Sequence, residues 1–131
     1  MLFEEKKSLS NARLDHAMEA LSAAQNMIHQ EQYLSASNRL YYAVFHAMRA
    51  VLAFDGIYKK HHSGIISEFR RLYIKTDTFP KELSTTISRA YDMRTGSDYD
   101  DFFIVSKQEV KELLQDVEVF LSQIQQYLQH K

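Results

Sequence analysis

Apolar residues recur every three or four positions over most of the chain, and that period predicts helices. Leu14, Met18, Leu21, Ala24 and Ile28 draw one stripe on a first helix. Leu40, Val44, Ala47, Val51 and Phe54 draw a second, ending near Asp55-Gly56. A shorter helix starts after His62-Ser63 and runs through Ile66 and Phe69 to about Tyr73. Pro80 suits the first turn of a fourth, where its missing N–H does no harm, and Leu83, Ile87 and Ala90 continue it. Ser106-Lys107-Gln108-Glu109 has the spacing of a capping box. It opens a last helix striped by Val110, Leu113, Val117, Phe120, Ile124 and Leu128. No segment alternates apolar and polar residues for long enough to predict a strand.

Helices joined by short connections bury their stripes against one another, so the pattern predicts an all-α fold, an antiparallel up-and-down bundle of four to five helices. The 3 glycines and 1 proline support it, because Gly56, Gly64, Gly96 and Pro80 lie between or at the ends of helical stretches. There is no repeat, low-complexity linker or composition break, so residues 1–131 read as one domain. With 45% hydrophobic residues the chain can bury a core without a disulfide, and it has no cysteine to make one. That absence also excludes a thiol nucleophile and a cysteine zinc site, and it fits a reducing compartment. The opening Met1-Leu2-Phe3-Glu4-Glu5-Lys6-Lys7 is no secretory signal. The longest nearly uncharged run, Leu40 to Met48, is about half of a bilayer span. A cytoplasmic location without membrane contact is the expectation.

Lys and Arg total 16 against 17 Asp and Glu, so a net charge of -1 excludes a generally basic nucleic-acid coat but not a local basic site. The candidate for such a site is the second helix. Arg39, Tyr42, His46 and Arg49 are spaced three, four and three apart and share a face beside the apolar stripe. A solvent face is ordinarily Lys, Glu and Gln; arginines with a tyrosine and a histidine fit either a dimer seam or the wall of an anion pocket. In the fourth helix Arg94 falls where the stripe of Leu83, Ile87 and Ala90 would continue, just before Gly96 and the acidic Asp98, Asp100 and Asp101. Arg94 and Asp98 form either a structural ion pair or a phosphate-binding arginine with the aspartate that orients it.

His61-His62-Ser63-Gly64 follows two lysines at a helix start, a local environment suited to an anion. Two adjacent histidines fall short of a metal site, which needs three or four convergent donors, and no metal or other cofactor is expected. No HExxH, phosphate-binding glycine loop or GxSxG motif is present, so zinc hydrolase, NTPase and α/β-hydrolase chemistry find no support.

The run Ser37-Asn38-Arg39-Leu40-Tyr41-Tyr42-Ala43-Val44-Phe45-His46-Ala47 resembles the second helix of small bacterial and archaeal HEPN-domain proteins. His62-Ser63-Gly64 and the Arg94 to Asp98-Tyr99 run follow in that family's order, and the resemblance covers about residues 10 to 125. It implies an up-and-down bundle pairing as a homodimer, with a cleft near the two-fold axis. It also implies nucleotide or RNA binding, and in many members metal-independent ribonuclease activity in a toxin whose antitoxin is a small nucleotidyltransferase of the MNT type. The family's motif is an arginine followed a few residues later by a histidine, with a tyrosine next to it in some toxins that the nucleotidyltransferase modifies. Here Arg94 is followed by Asp98 where the histidine is expected, and then by Tyr99, the acceptor by position. A literal match, Arg39 to His46, lies in the second helix instead.

The substitution matters because cleaving RNA without a metal needs a base for the 2′-hydroxyl, an acid for the leaving oxygen and a cation for the phosphorane charge. Arg94 supplies the cation. Asp98 can accept a proton, but acting as an acid near neutral pH requires a raised pKa, which an ion pair with Arg94 opposes. His46 or His62 would restore the imidazole if they converge on the same cleft. The sequence therefore leaves two functional readings beside a purely structural one, in which the polar stripe on the second helix is only the dimer seam. One is a ribonuclease with Arg94, Asp98 and His46 as catalytic residues and Arg39, Tyr42, His62 and Tyr99 binding RNA or nucleotide. The other is a binding or adaptor module that regulates a partner nucleotidyltransferase.

Overall fold

The computed structural model describes residues 2–58 and 61–130, the side chains of His62 and of 97–99 excepted. The described residues form an all-α bundle: α1 (Phe3–His29), α2 (Tyr33–Phe54), α3 (His62–Phe69), a π-helical turn (Arg70–Ile74), α4 (Glu82–Tyr99) and α5 (Lys107–Gln129). None of these helices is long and apolar enough to cross a membrane.

α1 and α2 pack closely because the residues between them are small. Ala17, Ala20 and Ala24 of α1 are buried, as are Ala36, Ala43, Ala47 and Ala50 of α2. The buried Ser10 hydroxyl donates to the Ala50 carbonyl at 2.8 Å, which fixes the register of the pair. This interface corrects one detail of the sequence pattern: Met18 lies at the surface, 37% exposed, and Ala17 and Ala20 take the inward positions. The pattern weighted large apolar side chains, whereas close helix approach selects small ones.

α2 is the centre of the bundle, with α1, α3, α4 and α5 packed around it. Between Leu40 and Ala53 every residue is buried except Tyr42, His46 and Arg49. Gly56 ends the helix with φ +77°, and the Ile57 N–H returns to the Leu52 carbonyl at 2.8 Å. Just before it, the Asp55 carboxylate accepts the hydroxyls of Tyr73 at 2.5 Å and Tyr127 at 2.8 Å. One side chain thus ties the end of α2 to the π-helical turn and to the end of α5.

The third predicted helix continues to Ile74, but its last part widens into the π-helical turn, closed by Lys75 N–H to the Arg70 carbonyl at 2.9 Å. Arg70 reaches from that turn across α4, donating to the Ser84 hydroxyl at 3.0 Å, the Ser84 carbonyl at 3.1 Å and the Ser88 hydroxyl at 2.6 Å. Pro80 lies just ahead of α4 rather than inside its first turn, and its carbonyl takes the Leu83 N–H at 3.1 Å. Ser106 caps α5 as its spacing predicts, accepting the Glu109 N–H at 3.1 Å while its hydroxyl donates to the Glu109 carboxylate at 2.9 Å.

Gly96 lies inside the last turn of α4, not past its end. A Cβ there would overlap the Phe103 ring, which folds back from the loop before α5. Gly96→Ala should therefore destabilise the protein by about 1–3 kcal/mol despite its gain in helix propensity. Thermal melts should show that loss vanishing in a Phe103→Ala background.

The Asp55 tie generates a second prediction. Burial, the bond to Asp55 and the negative charge there push the Tyr73 hydroxyl pKa upward. A raised phenol pKa means stability that is complete below about pH 10, the unfolded value, and lost progressively as pH rises above it. Denaturant titrations should show that alkaline loss, reduced in Tyr73→Phe. Asp55→Ala leaves two tyrosine hydroxyls without their acceptor and should cost about 1–3 kcal/mol at neutral pH.

Candidate functional site

The open edge of α2 is where polar chemistry collects. Because four helices bury the rest of α2, the only side chains of its middle that reach solvent are Tyr42, His46 and Arg49, with Arg39 one turn earlier. α4 crosses this edge and contributes Arg94, and α1 flanks it on the other side with Arg13 and His16.

Arg94 is partly buried on an aromatic floor. Its guanidinium carbon lies 4.9 Å from the centre of the Tyr41 ring and 5.4 Å from that of Tyr42. Its Nη2 donates to the Tyr42 hydroxyl at 3.3 Å. Tyr41 is 1% exposed and packs against Tyr42, Phe45 and Tyr91. Burial pushes its hydroxyl pKa up to about 12 although Arg94 pulls the other way. Tyr41 is therefore a neutral platform at physiological pH, holding the cation by its ring face.

A second guanidinium shares Tyr42. Arg39 lies 5.0 Å from the ring centre and donates to the Asn38 side-chain carbonyl at 2.9 Å. His46 follows one turn on, 6.0 Å from Tyr42 and 5.5 Å from Phe45 between ring centres. Its Nδ1 faces Arg49 Nη1 at 3.4 Å. In this contact the guanidinium is the donor and Nδ1 the acceptor.

The α1 side adds groups that the sequence did not single out. The His16 ring lies 5.5 Å from that of His46. Arg13 donates to the Arg49 carbonyl at 3.3 Å. Burial and the nearby Arg49 charge lower the Arg13 pKa, with Tyr58 opposing them. Two arginines held together without a carboxylate between them leave this face with surplus positive potential. Among the described residues Arg13 and Arg39 have no carboxylate partner, whereas the ion pairs Arg71–Glu68 and Arg89–Asp116 lie on other faces.

The sequence-predicted residues thus divide. Arg39, Tyr42, His46 and Arg94 come together in one row across α2 and α4. Asp98 and Tyr99 belong to the last turn of α4 and His62 to the first turn of α3, but their side chains lie outside the described residues, and with them the Arg94–Asp98 contact. His16 and Arg13 carried no signal in the sequence, because nothing in α1 announces which polar position faces His46 once the helices pack. Among the described residues no three His, Asp or Glu side chains are placed to hold a metal ion.

Two clefts adjoin the row. One, of about 480 Å³, lies between α1 and α2 and is lined by His16, Glu19, Ser22, Asn26, Arg39 and His46. The other, of about 600 Å³, lies between α3 with its π-helical turn and α4, where Tyr91 forms part of the wall. Two of its cations are committed to the fold, Arg70 to Ser84 and Ser88 and Arg71 to Glu68.

The HEPN domain model matches residues 10–127 of the chain. A Methanocaldococcus jannaschii protein named "putative toxin" is 34% identical over 115 residues, 88% of this chain and 78% of its own length. A second M. jannaschii protein with the same description is 27% identical, over 89% of this chain and 87% of its own. A Thermotoga maritima protein named "UPF0332 protein" is 30% identical over 95% of both chains. With the family model spanning nearly the whole chain and an all-α bundle beneath it, the chain belongs to the HEPN domain family.

Proposed function

We propose that the protein is a toxin-type HEPN domain that binds RNA and cleaves it without a metal. The observation that supports this most is the row in which Arg94, held by Tyr41 and Tyr42, is joined through Tyr42 to His46. Arg94 supplies a positive charge for the phosphorane, and a guanidinium on an aromatic floor is held in one orientation before substrate arrives. His46 supplies the imidazole for proton transfer, and Asp98, one turn after Arg94 on α4, is the carboxylate that can accept a proton. In that reaction the 2′-hydroxyl gives its proton to a base as its oxygen attacks phosphorus. The P–O5′ bond breaks, and a proton goes to the departing 5′-oxygen. The products are a 2′,3′-cyclic phosphate and a 5′-hydroxyl. Arg39 and Tyr42 bind the RNA beside the scissile phosphate, with His62 and Tyr99 as further contacts.

The names of the two M. jannaschii relatives support a toxin role. Such a role calls for an antitoxin, and we propose a nucleotidyltransferase, with Tyr99 as the acceptor of nucleotide transfer. We further propose that two copies pair to form the working site in the cytoplasm. Asp98 in place of the family's histidine favours a second reading, in which the same row binds a nucleotide or RNA and the protein regulates its partner without cleaving.

Cleavage of RNA in the presence of chelator separates the readings. Wild type should give 2′,3′-cyclic phosphate ends, Arg94→Ala should lose activity, and His46→Ala should fall about 10²–10⁴-fold. RNA binding without cleavage would establish the adaptor reading. Equal cleavage by all three proteins would overturn the assignment of the site.

A further inference from the structure

The α1–α2 cleft is continuous with the Arg94 row, and we infer that it is a second phosphodiester subsite, built by His16 together with Arg39, for single-stranded RNA extending beyond the phosphate on Arg94. The inference rests on the RNA-binding reading above and adds to it a residue and an extent of substrate. Arg39 is the link between the two subsites. Its guanidinium stands over Tyr42, which Arg94 touches, and it also lines the cleft. From Arg39 to His46 is seven residues, about 10 Å along the helix axis. The cleft therefore runs beside a stretch of α2 long enough to accompany an extended strand.

The cleft's lining suits a diester in particular. Arg39 offers charged donors, and Ser22, Asn26 and the two imidazoles offer neutral or ionisable ones around about 480 Å³. The His16 and His46 rings lie side by side on its wall, 5.5 Å apart between centres and tilted by 39°. Glu19 is the carboxylate among these groups, and its charge opposes a doubly charged terminal phosphate or a polyphosphate more than it opposes a singly charged internal diester. Arg13, bonded to the Arg49 carbonyl, and Arg49, beside His46, add positive charge near the cleft, and among the described residues neither has a carboxylate partner. The cleft near Tyr91 is larger, but its arginines are held by Ser84, Ser88 and Glu68.

The test uses uncleavable 2′-O-methyl RNA: a dinucleotide with one phosphodiester and a hexanucleotide, titrated at several salt concentrations against the full chain. His16→Glu should weaken hexanucleotide binding at least about tenfold, with the loss greatest at low salt, because the new carboxylate repels the phosphate there. It should weaken dinucleotide binding much less. Ser22→Glu, an exposed position on the same cleft, should do the same and guards against a folding defect peculiar to one variant. Arg94→Ala should weaken both ligands. Hexanucleotide binding by both cleft variants with wild-type affinity and salt slope would overturn the subsite and leave the RNA-binding reading standing. Failure of the wild type to bind either ligand would overturn that reading and the subsite with it.

Discussion

The near-complete burial of α2 is the constraint on which the rest of this structure depends. A helix enclosed by four others has almost no surface to give to function, and whatever reaches solvent must do so along one narrow edge. That edge carries Arg39, Tyr42, His46 and Arg49, so cations sit close together on a protein whose net charge is -1. Crowding like charges is unfavourable unless something compensates. Aromatic rings contribute to that compensation: Arg94 lies over Tyr41 and Tyr42, Arg39 over Tyr42, and Arg49 over Phe45. Each such contact contributes about 0.5–2 kcal/mol, depending on how far it is desolvated. Ring faces hold a guanidinium without neutralising its charge.

Groups remote from the row decide whether it forms. Arg94 meets Tyr42 only if α4 crosses α2 at the right height and rotation. Arg70 fixes the first half of α4 through Ser84 and Ser88, Arg89 pairs it with Asp116 of α5, and Phe103 folds onto Gly96 two residues beyond Arg94. The π-helical turn belongs to the same mechanism, since it carries Arg70 toward α4 while Tyr73, in the same turn, reaches Asp55. Asp55 in turn holds the end of α2 against α5 through Tyr127. The site is thus a product of interhelical register, and changes in these ties would alter it without touching any residue that faces a ligand.

This dependence explains what the sequence made legible. Helix positions follow from local periodicity and from breakers, so five helical segments, the Ser106 cap and the α2 stop at Gly56 could all be read from residues near one another in the chain. The polar face of α2 was legible for the same reason, its spacing being a property of one helix. The wrong placement of Met18, and the silence about His16 and Arg13, have a different origin. Which side of α1 meets α2 is decided by alanines whose small volume matters only when a second helix approaches, and hydrophobic periodicity weights them lightly. Gly96 read as a helix end because glycine ends helices more often than it makes room for a ring, and Phe103 lies beyond the reach of a local pattern.

The distribution of the chemistry over two helices has a consequence for how such a site works. An arginine and a histidine one turn apart on a single helix are held together by the helix itself. Arg94 and His46 are instead related through Tyr42 and the packing of α4 on α2, with the Tyr42 hydroxyl accepting from one and its ring beside the other. Their separation is therefore sensitive to sub-ångström shifts between helices, and close-packed interiors resist such shifts strongly. Tyr41, fully buried and held in its neutral form, is the part of the interior that transmits this rigidity to Arg94. A site built this way gains its preorganisation from the core rather than from a local motif, which is why the motif alone underdetermines it.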